Sequence, residues 1–563
     1  MPSPSIAGVV RLGRDFAALV AESLAGLGVR HAFGVSGGGI GPIWRALIDS
    51  LEIETLHFRH EAGAAFAAIE ASLNGNEPVV VFCTTGPGMT NAMTGLAAAR
   101  AEGAKILLVS PRTSPGQRGR GAVQETPMPS ADFFTPGWLF DEVFAVESVE
   151  EITRVACRLR HGFEHVGAYV AHLSIPVSLQ NAPVRQDMAG RPDYQASKPF
   201  PDPGVVQQVA ELMARQRFAI WVGHGARHAS RQVRALVDLT GAPVMATPRG
   251  KGIVPEDHPQ FLMVTGLGGH PAGIERLESY QPDFILVLGT RLGEPSSAWD
   301  SRLIPLGGFV HVDIDQSVPG TALAGPVLAV QADIGAFLDQ LLARSAEIPH
   351  RLFRCSSPFA DPPAYGRHGE LVRPQGELVR PQALLAATQT MVVDAGIPVL
   401  VEPGSAMAWA VNRLRISHPG QLRIVGGFGS MGQMTCGVIG SAISRRGPTV
   451  CLTGDGSMLM NNEINTAVEY RVPAIWVVLN NSRYQMCEKG MGFGPTEKHA
   501  RFRQCDFVRV ARGMGARAVA VRRESELEPA LRRALSDGGP FLVDVMVDPD
   551  ETPPFESRFK TLS

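Results

Sequence analysis

From Arg14 to Leu27 apolar residues recur at the three- and four-residue spacing of an amphipathic helix, and short unbroken apolar runs follow: HAFGV from His31, PVVVFCT from Pro78 and KILLVSP from Lys105. Runs that are apolar on both faces suit strands covered by helices on both sides, so the alternation predicts βαβ units and a parallel sheet. A polar, proline-bearing stretch from Gln180 to Gly204 breaks the rhythm and reads as a linker. A second unit then carries FAIWVG, PVMATP, FILVLGT and FVHVDID and ends near Glu347. Residues 348–382 are rich in proline and charge and contain GELVRPQ twice in tandem, at Gly369–Gln375 and Gly376–Gln382, which reads as a second linker that tolerates insertion. From Ala383 a third unit supplies IPVLVEP, LRIVGG, TVCLTGD, AIWVVLN and FLVDVMV. The expected architecture is therefore α/β, with three similar open parallel-sheet domains at 1–185, 200–347 and 383–563.

Composition narrows the class without naming it. A chain of 563 residues exceeds what one core usually serves, and 45% apolar with 19% charged residues is ordinary for a packed α/β protein. The 52 Lys and Arg against 54 Asp and Glu leave a formal charge of −2, so no field exists to draw in nucleic acid or an anionic membrane, and neither partner is expected. Seven scattered cysteines without a C-x-x-C pair form neither a disulfide framework nor a zinc site, which fits a reducing cytoplasm. The N-terminus has no basic stretch leading into a long apolar run and no segment reaches about 18 uninterrupted apolar residues, so no signal peptide or membrane span is expected.

The chemistry-bearing signal is Gly454-Asp455-Gly456-Ser457 after one expected strand, paired with Asn480-Asn481 after the next. The carboxyl edge of an open parallel sheet is where loops and helix N-termini present N–H groups to anions, so a diphosphate suits it. A hard cation such as Mg²⁺ wants oxygen ligands, and the Asp455 carboxylate, an Asn481 amide oxygen and a backbone carbonyl could provide three beside two phosphate oxygens. Either motif alone is a common turn. Their pairing across two strand ends is not.

The stretch GDGSMLMNNEINTAVEYRVPAIWVVLNN resembles the signature of thiamine-diphosphate enzymes of the pyruvate decarboxylase and acetolactate synthase superfamily. FGVSGGGIGPIWRAL, RHEAGAAFAAIEAS, TTGPGMTNAMTGLAAA and VGGFGSMGQMTCGVIGSAIS are similar to corresponding stretches of acetolactate-synthase-like members. The resemblance implies the domain order pyrimidine-binding, central, diphosphate-binding. It implies that Asp455, Asn481 and the carbonyl of Arg483 hold Mg²⁺ and that Gly404, Ser405, Gly454, Gly456 and Ser457 line the diphosphate. Glu61 matches the glutamate that hydrogen-bonds the cofactor's pyrimidine ring, so that the ring's amino group can deprotonate the thiazolium carbon. Met431 stands where the superfamily places the residue that bends the cofactor, Gly429 would accept from its amino group, and Gln124 falls at an active-site glutamine.

Which reaction follows depends on the fate of the carbanion equivalent the cofactor generates. Simple decarboxylases of this superfamily protonate it with an Asp in the first Gly-rich loop, paired histidines in a later loop and a Glu after the Asn pair. Here the first loop reads Ser36-Gly37-Gly38-Gly39, Pro111–Thr126 holds no histidine, and Cys487 takes the Glu position. That favours a carboligase that joins a 2-keto acid such as pyruvate to a second carbonyl compound, over a decarboxylase drawing on His57, His60 or a water chain. Met486 and Cys487 would lie over the thiazolium, and Ser36, Gly37 and Gly38 would face the substrate. Arg291 matches an arginine aimed at the acceptor carboxylate, and Arg112, Arg118 and Arg120 are available to an unusual acidic acceptor. Leu292 to Trp299 departs from the family's flavin-contacting stretch, which speaks against bound FAD, and Gly490 replaces a family tryptophan. The family arrangement pairs Glu61 with Asp455 across two chains, so a homodimer or homotetramer with interfacial active sites is expected.

Overall fold

The computed structural model describes residues 15–125, 135–184, 198–350, 378–490 and 499–554, with the side chains of 489 and 490 left aside. The chain divides into two compact units, Met1–Ala196 and Ser197–Ser563.

The first unit holds one six-stranded sheet: β1 (His31–Gly34), β2 (Glu54–His57), β3 (Val79–Phe82), β4 (Lys105–Arg112), β5 (Glu142–Ala145) and β6 (Tyr169–Pro176), in the order β2-β1-β3-β4-β6-β5. Every pairing is parallel. The expected first helix runs Phe16–Gly26, started by Asp15, whose carboxylate accepts from Ala18 N at 2.9 Å. Two helices follow β2 and β3, Glu61–Gly75 and Pro87–Glu102, and they pack on each other almost without side chains between them. A Cβ added at Gly95 would collide with the Ala65 Cβ and lie 3.2 Å from Ala62 O. The alanine-rich face of Glu61–Gly75 is what permits so close an approach.

The second unit holds two six-stranded parallel sheets. One comprises β7 (Phe218–Val222), β8 (Val244–Ala246), β9 (Phe261–Val264), β10 (Phe284–Leu288), β11 (Phe309–Asp313) and β12 (Val327–Gln331), in the order β12-β11-β10-β7-β8-β9. The other comprises β13 (Val399–Val401), β14 (Leu422–Ile424), β15 (Thr449–Gly454), β16 (Ala474–Asn480), β17 (Arg517–Val521) and β18 (Phe541–Met546), in the order β14-β13-β15-β16-β18-β17. The three expected parallel sheets are present. The second and third nevertheless share one continuous core, running from Val206 to Val547. Buried polar contacts reinforce it: Lys251 pairs with Glu256 at 2.7 Å and donates to Val411 O at 2.9 Å, and Asn412 donates to Gly268 O and Gly269 O. That sharing makes them one compact body.

The first GELVRPQ copy and the first two residues of the second lie outside the described residues. At the end of the second copy Val379 is fully buried, Arg380 pairs with Glu524 at 2.7 Å and Pro381 begins the helix Pro381–Thr388, so ordered packing starts inside the expected linker. Among the described residues no helix is long and apolar enough to cross a membrane.

Candidate functional site

In the third sheet, β15 and β16 pair in register, Gly454 beside Leu479, which sets Asp455 and the Asn480-Asn481 pair side by side at the carboxyl edge. The Asp455 carboxylate is buried and accepts from the backbone N–H of Gly456 at 2.8 Å, Asn481 at 3.0 Å and Ser482 at 2.5 Å. Burial raises its pKa to about 6, against the pull of those N–H groups on the charged form. Asn480 is occupied elsewhere: its amide donates to Cys505 O and to Asp544 Oδ1, while its own buried Oδ1 has no hydrogen-bond partner. Asn481, half-buried beside Asp455, is the freer of the pair.

Arg483 bonds the Asp455 carboxylate through its main-chain N–H and is fixed through its side chain. Its Nη1 bonds Glu488 at 2.8 Å, and the buried Glu488 also binds Arg501 Nε at 2.5 Å. Tyr484 N donates to Ala500 O and Phe502 N to Ser482 O, so Ser482–Tyr484 is tied to Ala500–Phe502. A Cβ at Gly456 would come within 2.5 Å of the Tyr484 ring, which explains the glycine there. Met486 packs on the core, and Cys487 is exposed.

Around this edge the backbone is open in the manner an anion cradle requires. Gly404 (φ +117°) precedes the helix Ser405–Arg413, and neither it nor Gly429 (φ +66°) nor Gly454 would bring a Cβ near another atom. Met431 is half-buried in the loop before the helix Gln433–Arg445. That loop is held by Glu402, at the end of β13, which sequence reasoning missed. Its buried carboxylate accepts from Gly432 N at 3.2 Å, Met434 N at 2.5 Å and Thr435 N at 2.9 Å, and the Ser457 hydroxyl also bonds to it. Burial raises its pKa to about 7. One glutamate after a strand carries no motif, so only the fold reveals the role.

These residues fit the expected groups. A buried carboxylate with an elevated pKa gains from a cation, and the donors beside it are an amide and main-chain carbonyls, the hard oxygen set that Mg²⁺ shares with phosphates. Among the described residues no cluster of three or more His, Cys, Asp or Glu would make a transition-metal cage.

In the first unit the carboxyl edge gathers a second constellation. Glu61 is the buried first residue of its helix; Asn91 donates to its Oε2 at 3.1 Å, and a Cβ at Gly88 would approach Glu61 Oε1 to 3.1 Å and Thr84 Cγ2 to 3.0 Å. Thr84 donates to Gln124 Oε1 at 3.0 Å, and Gln124 adopts φ +62° with its carbonyl against Gly86. A Cβ at Gly37 would meet Thr84 at 2.7 Å, so the first Gly-rich loop lies over the same threonine. Ser36 N and Ser36 Oγ lie 3.0 and 2.8 Å from His57 Nε2. Gly38 is exposed. Arg112 and Arg118 both bind Glu147, at 2.9 and 3.0 Å, so their charge is already partly answered, while Arg120 is exposed.

On the central sheet, Arg291 follows β10 and is exposed. Sequence reasoning missed a cationic group at the same edge: His224 is held well below its ordinary pKa by burial and then by Arg249, Arg227, Arg423 and His228, and Arg227 falls to about 10.

Three family models cover the chain in this same order: the thiamine pyrophosphate enzyme N-terminal TPP binding domain over residues 14–132, the central domain over 206–341 and the C-terminal TPP binding domain over 402–545. The chain belongs to the thiamine pyrophosphate enzyme family. Within it the chain is of acetolactate-synthase type. It is 26% identical to the acetolactate synthase isozyme 1 large subunit of Escherichia coli (93% of this chain, 92% of that protein). It is also 26% identical to a probable acetolactate synthase large subunit of Methanocaldococcus jannaschii (95% and 92%) and 27% identical to chloroplastic acetolactate synthase 1 of Zea mays (96% and 86%).

Proposed function

We propose that this chain is a thiamine-diphosphate- and Mg²⁺-dependent carboligase that takes the acyl unit of a 2-keto acid such as pyruvate and joins it to a second carbonyl compound. When bound, the cofactor supplies the nucleophilic carbon and the electron sink for decarboxylation. The chain's residues do the rest. Asp455, Asn481 and the Arg483 carbonyl would hold Mg²⁺; Gly404, Ser405, Gly454, Gly456 and Ser457 would seat the diphosphate; Met431 would brace the bent cofactor beside the Gly429 carbonyl and Met486. Glu61, held by Asn91, would keep a proton in play on the pyrimidine. Gln124 and the Ser36–Gly38 loop would line the substrate space with Cys487, and Arg291 would meet an acceptor carboxylate.

One observation carries the choice of carboligase. Ser36–Gly39 has no acid, Pro111–Glu125 has no histidine, and the imidazole bonded to the first loop, His57, accepts a backbone N–H at Nε2 and so offers a lone pair there rather than a proton. Without a ready acid the carbon nucleophile survives to meet a second carbonyl.

The working form is a homodimer or homotetramer in which one copy's Glu61 serves the other's Asp455. Phe428, Leu459 and Met460, 45, 49 and 60% exposed beside the diphosphate loops, leave apolar surface that a second copy would cover. A cytoplasmic setting and operation without FAD complete the reading. The test incubates purified protein with cofactor, Mg²⁺ and pyruvate, alone and with varied carbonyl acceptors, against Glu61→Gln. Coupled products that vanish in the variant support the carboligase; free acetaldehyde as the main product replaces it with a decarboxylase.

A further inference from the structure

We infer that Glu488 is a positioning residue for the candidate cation site: its carboxylate, gripped by Arg483 and Arg501, holds the turn 481–483 in the shape that presents its oxygens to Mg²⁺. The inference rests on the Mg²⁺ site of the proposed function and adds to it a residue outside the ligand set.

The turn has to be held. Ser482, between the two residues proposed as ligands, has φ +60°, the left-handed region that a residue with a Cβ occupies only when its surroundings impose it. On one side the Asp455 carboxylate accepts from the N–H groups of Asn481 at 3.0 Å, Ser482 at 2.5 Å and Arg483. That is the same carboxylate that would ligate the metal, so an oxygen that turns to a cation gives up part of its hold on the turn. A second restraint has to come from elsewhere.

Glu488 supplies it. Its backbone N–H donates to Tyr484 O at 2.9 Å within the short helix Gln485–Gly490, which follows the turn directly and returns the carboxylate to Arg483. The two carboxylate oxygens are used separately: Oε2 accepts from Arg483 Nη1 at 2.8 Å and Oε1 from Arg501 Nε at 2.5 Å. Arg483 Nε donates in turn to Asn481 O at 3.3 Å, so the guanidinium reaches from Glu488 back to the residue whose amide is the proposed ligand. Arg501 lies in the segment paired antiparallel to the turn through Tyr484 N to Ala500 O at 2.8 Å and Phe502 N to Ser482 O at 3.0 Å, so one carboxylate fastens both sides. The side chains of Glu488 and Arg483 are 4 and 14% exposed, which separates this contact from a loose surface pair. Burial pushes the Glu488 pKa up, but the bonds from Arg501 and Arg483 outweigh it and hold the carboxyl below its ordinary value.

The consequence is selective. Mg²⁺ demands a near-ideal octahedron, whereas Ca²⁺ accepts flexible shells of variable number. A loosened turn therefore loses Mg²⁺ before Ca²⁺. A residue that only stabilised the fold would weaken both alike.

The experiment titrates metal-free protein, in excess thiamine diphosphate, with MgCl₂ and with CaCl₂ by calorimetry against a protein-free blank. Wild type is compared with Glu488→Ala, Glu488→Gln, Arg483→Met and Glu488→Ala/Arg483→Met, and thermal unfolding without metal checks that each is folded. Glu488→Ala and Arg483→Met should each raise the Kd for Mg²⁺ by about tenfold or more, with the Kd for Ca²⁺ moving less than about threefold. The double should be no worse than the worse single, because both act through one contact. Glu488→Gln keeps the side-chain volume should the alanine variant not fold. Its amide sets a donor where one arginine needs an acceptor, so the ratio of Mg²⁺ to Ca²⁺ affinity should still fall by about threefold or more. An Mg²⁺ Kd within threefold of wild type in the folded Glu488 variants, equal losses for the two metals, or losses that multiply in the double overturn the inference. A wild type that binds no Mg²⁺ beside the cofactor refutes the cation site of the proposed function itself, whereas a wild type that binds it and variants that match wild type refute the role of Glu488 alone.

Discussion

The close crossing of helices Glu61–Gly75 and Pro87–Glu102 links packing to chemistry, because Glu61 and Ala65 lie one turn apart on one helix and face Asn91 and Gly95, one turn apart on the other. Gly95→Ala puts a carbon inside contact distance of the Ala65 Cβ, where carbons ordinarily rest about 3.5–4.0 Å apart. The helices must part by on the order of 1 Å. Overpacking of this kind costs about 1–3 kcal/mol, and exchanging a mid-helix glycine for alanine returns about 1 kcal/mol of propensity. A net loss of about 1 kcal/mol remains, worth roughly 2–4 °C in Tm for a unit of this size. The functional loss should be larger, since a parting of that size removes the 3.1 Å Asn91–Glu61 bond, and about 1 Å of misplacement can cost up to about 100-fold. The exchanged pair Ala65→Gly/Gly95→Ala restores the same volume with the roles reversed. Thermal denaturation and the C2 exchange rate of the cofactor should therefore fall in Gly95→Ala and recover to within threefold in the exchanged pair. A single variant as stable and as active as wild type, or an exchanged pair no better than the single, would refute the reasoning.

Stability should also depend on pH through Glu402, whose pKa rises from the usual 4.5 to about 7 on folding. A raised carboxyl pKa means the folded chain holds the proton more tightly, so this contribution is full below about pH 4.5, declines as pH rises toward 7 and is level above. The span is on the order of 3 kcal/mol, and denaturant unfolding across that range should show a slope that Glu402→Gln flattens; an unchanged slope counts against it. For the buried pair, burial lowers the Lys251 pKa and raises that of Glu256, so desolvation outweighs their attraction. Lys251→Met alone should cost about 3–5 kcal/mol, whereas Lys251→Met/Glu256→Leu should be nearly neutral; equal losses in both, read by chemical denaturation, would contradict this.

How far the sequence could be read depended on burial. Strands with both faces covered, such as β15 and β16, stand out as unbroken apolar runs. The sheet edges β2 (ETLH), β5 (EVFA), β12 (VLAVQ) and β17 (RAVAV) do not, because exposed positions interrupt them. β6 was hidden for a different reason: it is buried throughout, yet carries His172 and Ser174, and His172 bonds Ser110 on β4 at 2.7 Å and packs its ring against Phe140. No single run of residues expresses that partnership.

The same distinction separates the parts of the candidate site. Asp455 and Asn481 were legible because each ends a readable strand, and a parallel register then brings neighbouring strand ends together whatever the crossover between them. Glu402, and the contact that joins Ser36 to His57, were not, since both come from what the fold sets opposite them. The arginines at the end of β4 and in the loop after it gain partners that their sequence does not announce. Arg112 and Arg118 read as free cations for an acidic acceptor, but both converge on Glu147, which lies well along the chain after β5 and whose carboxyl is held below its ordinary pKa. Two guanidiniums sharing one carboxylate leave about one net charge instead of two. An acidic acceptor would therefore have to be recognised by Arg291, Arg120 or the cationic edge around Arg227 rather than by that pair, so Arg118→Ala should alter the loop's stability more than it alters the choice of acceptor.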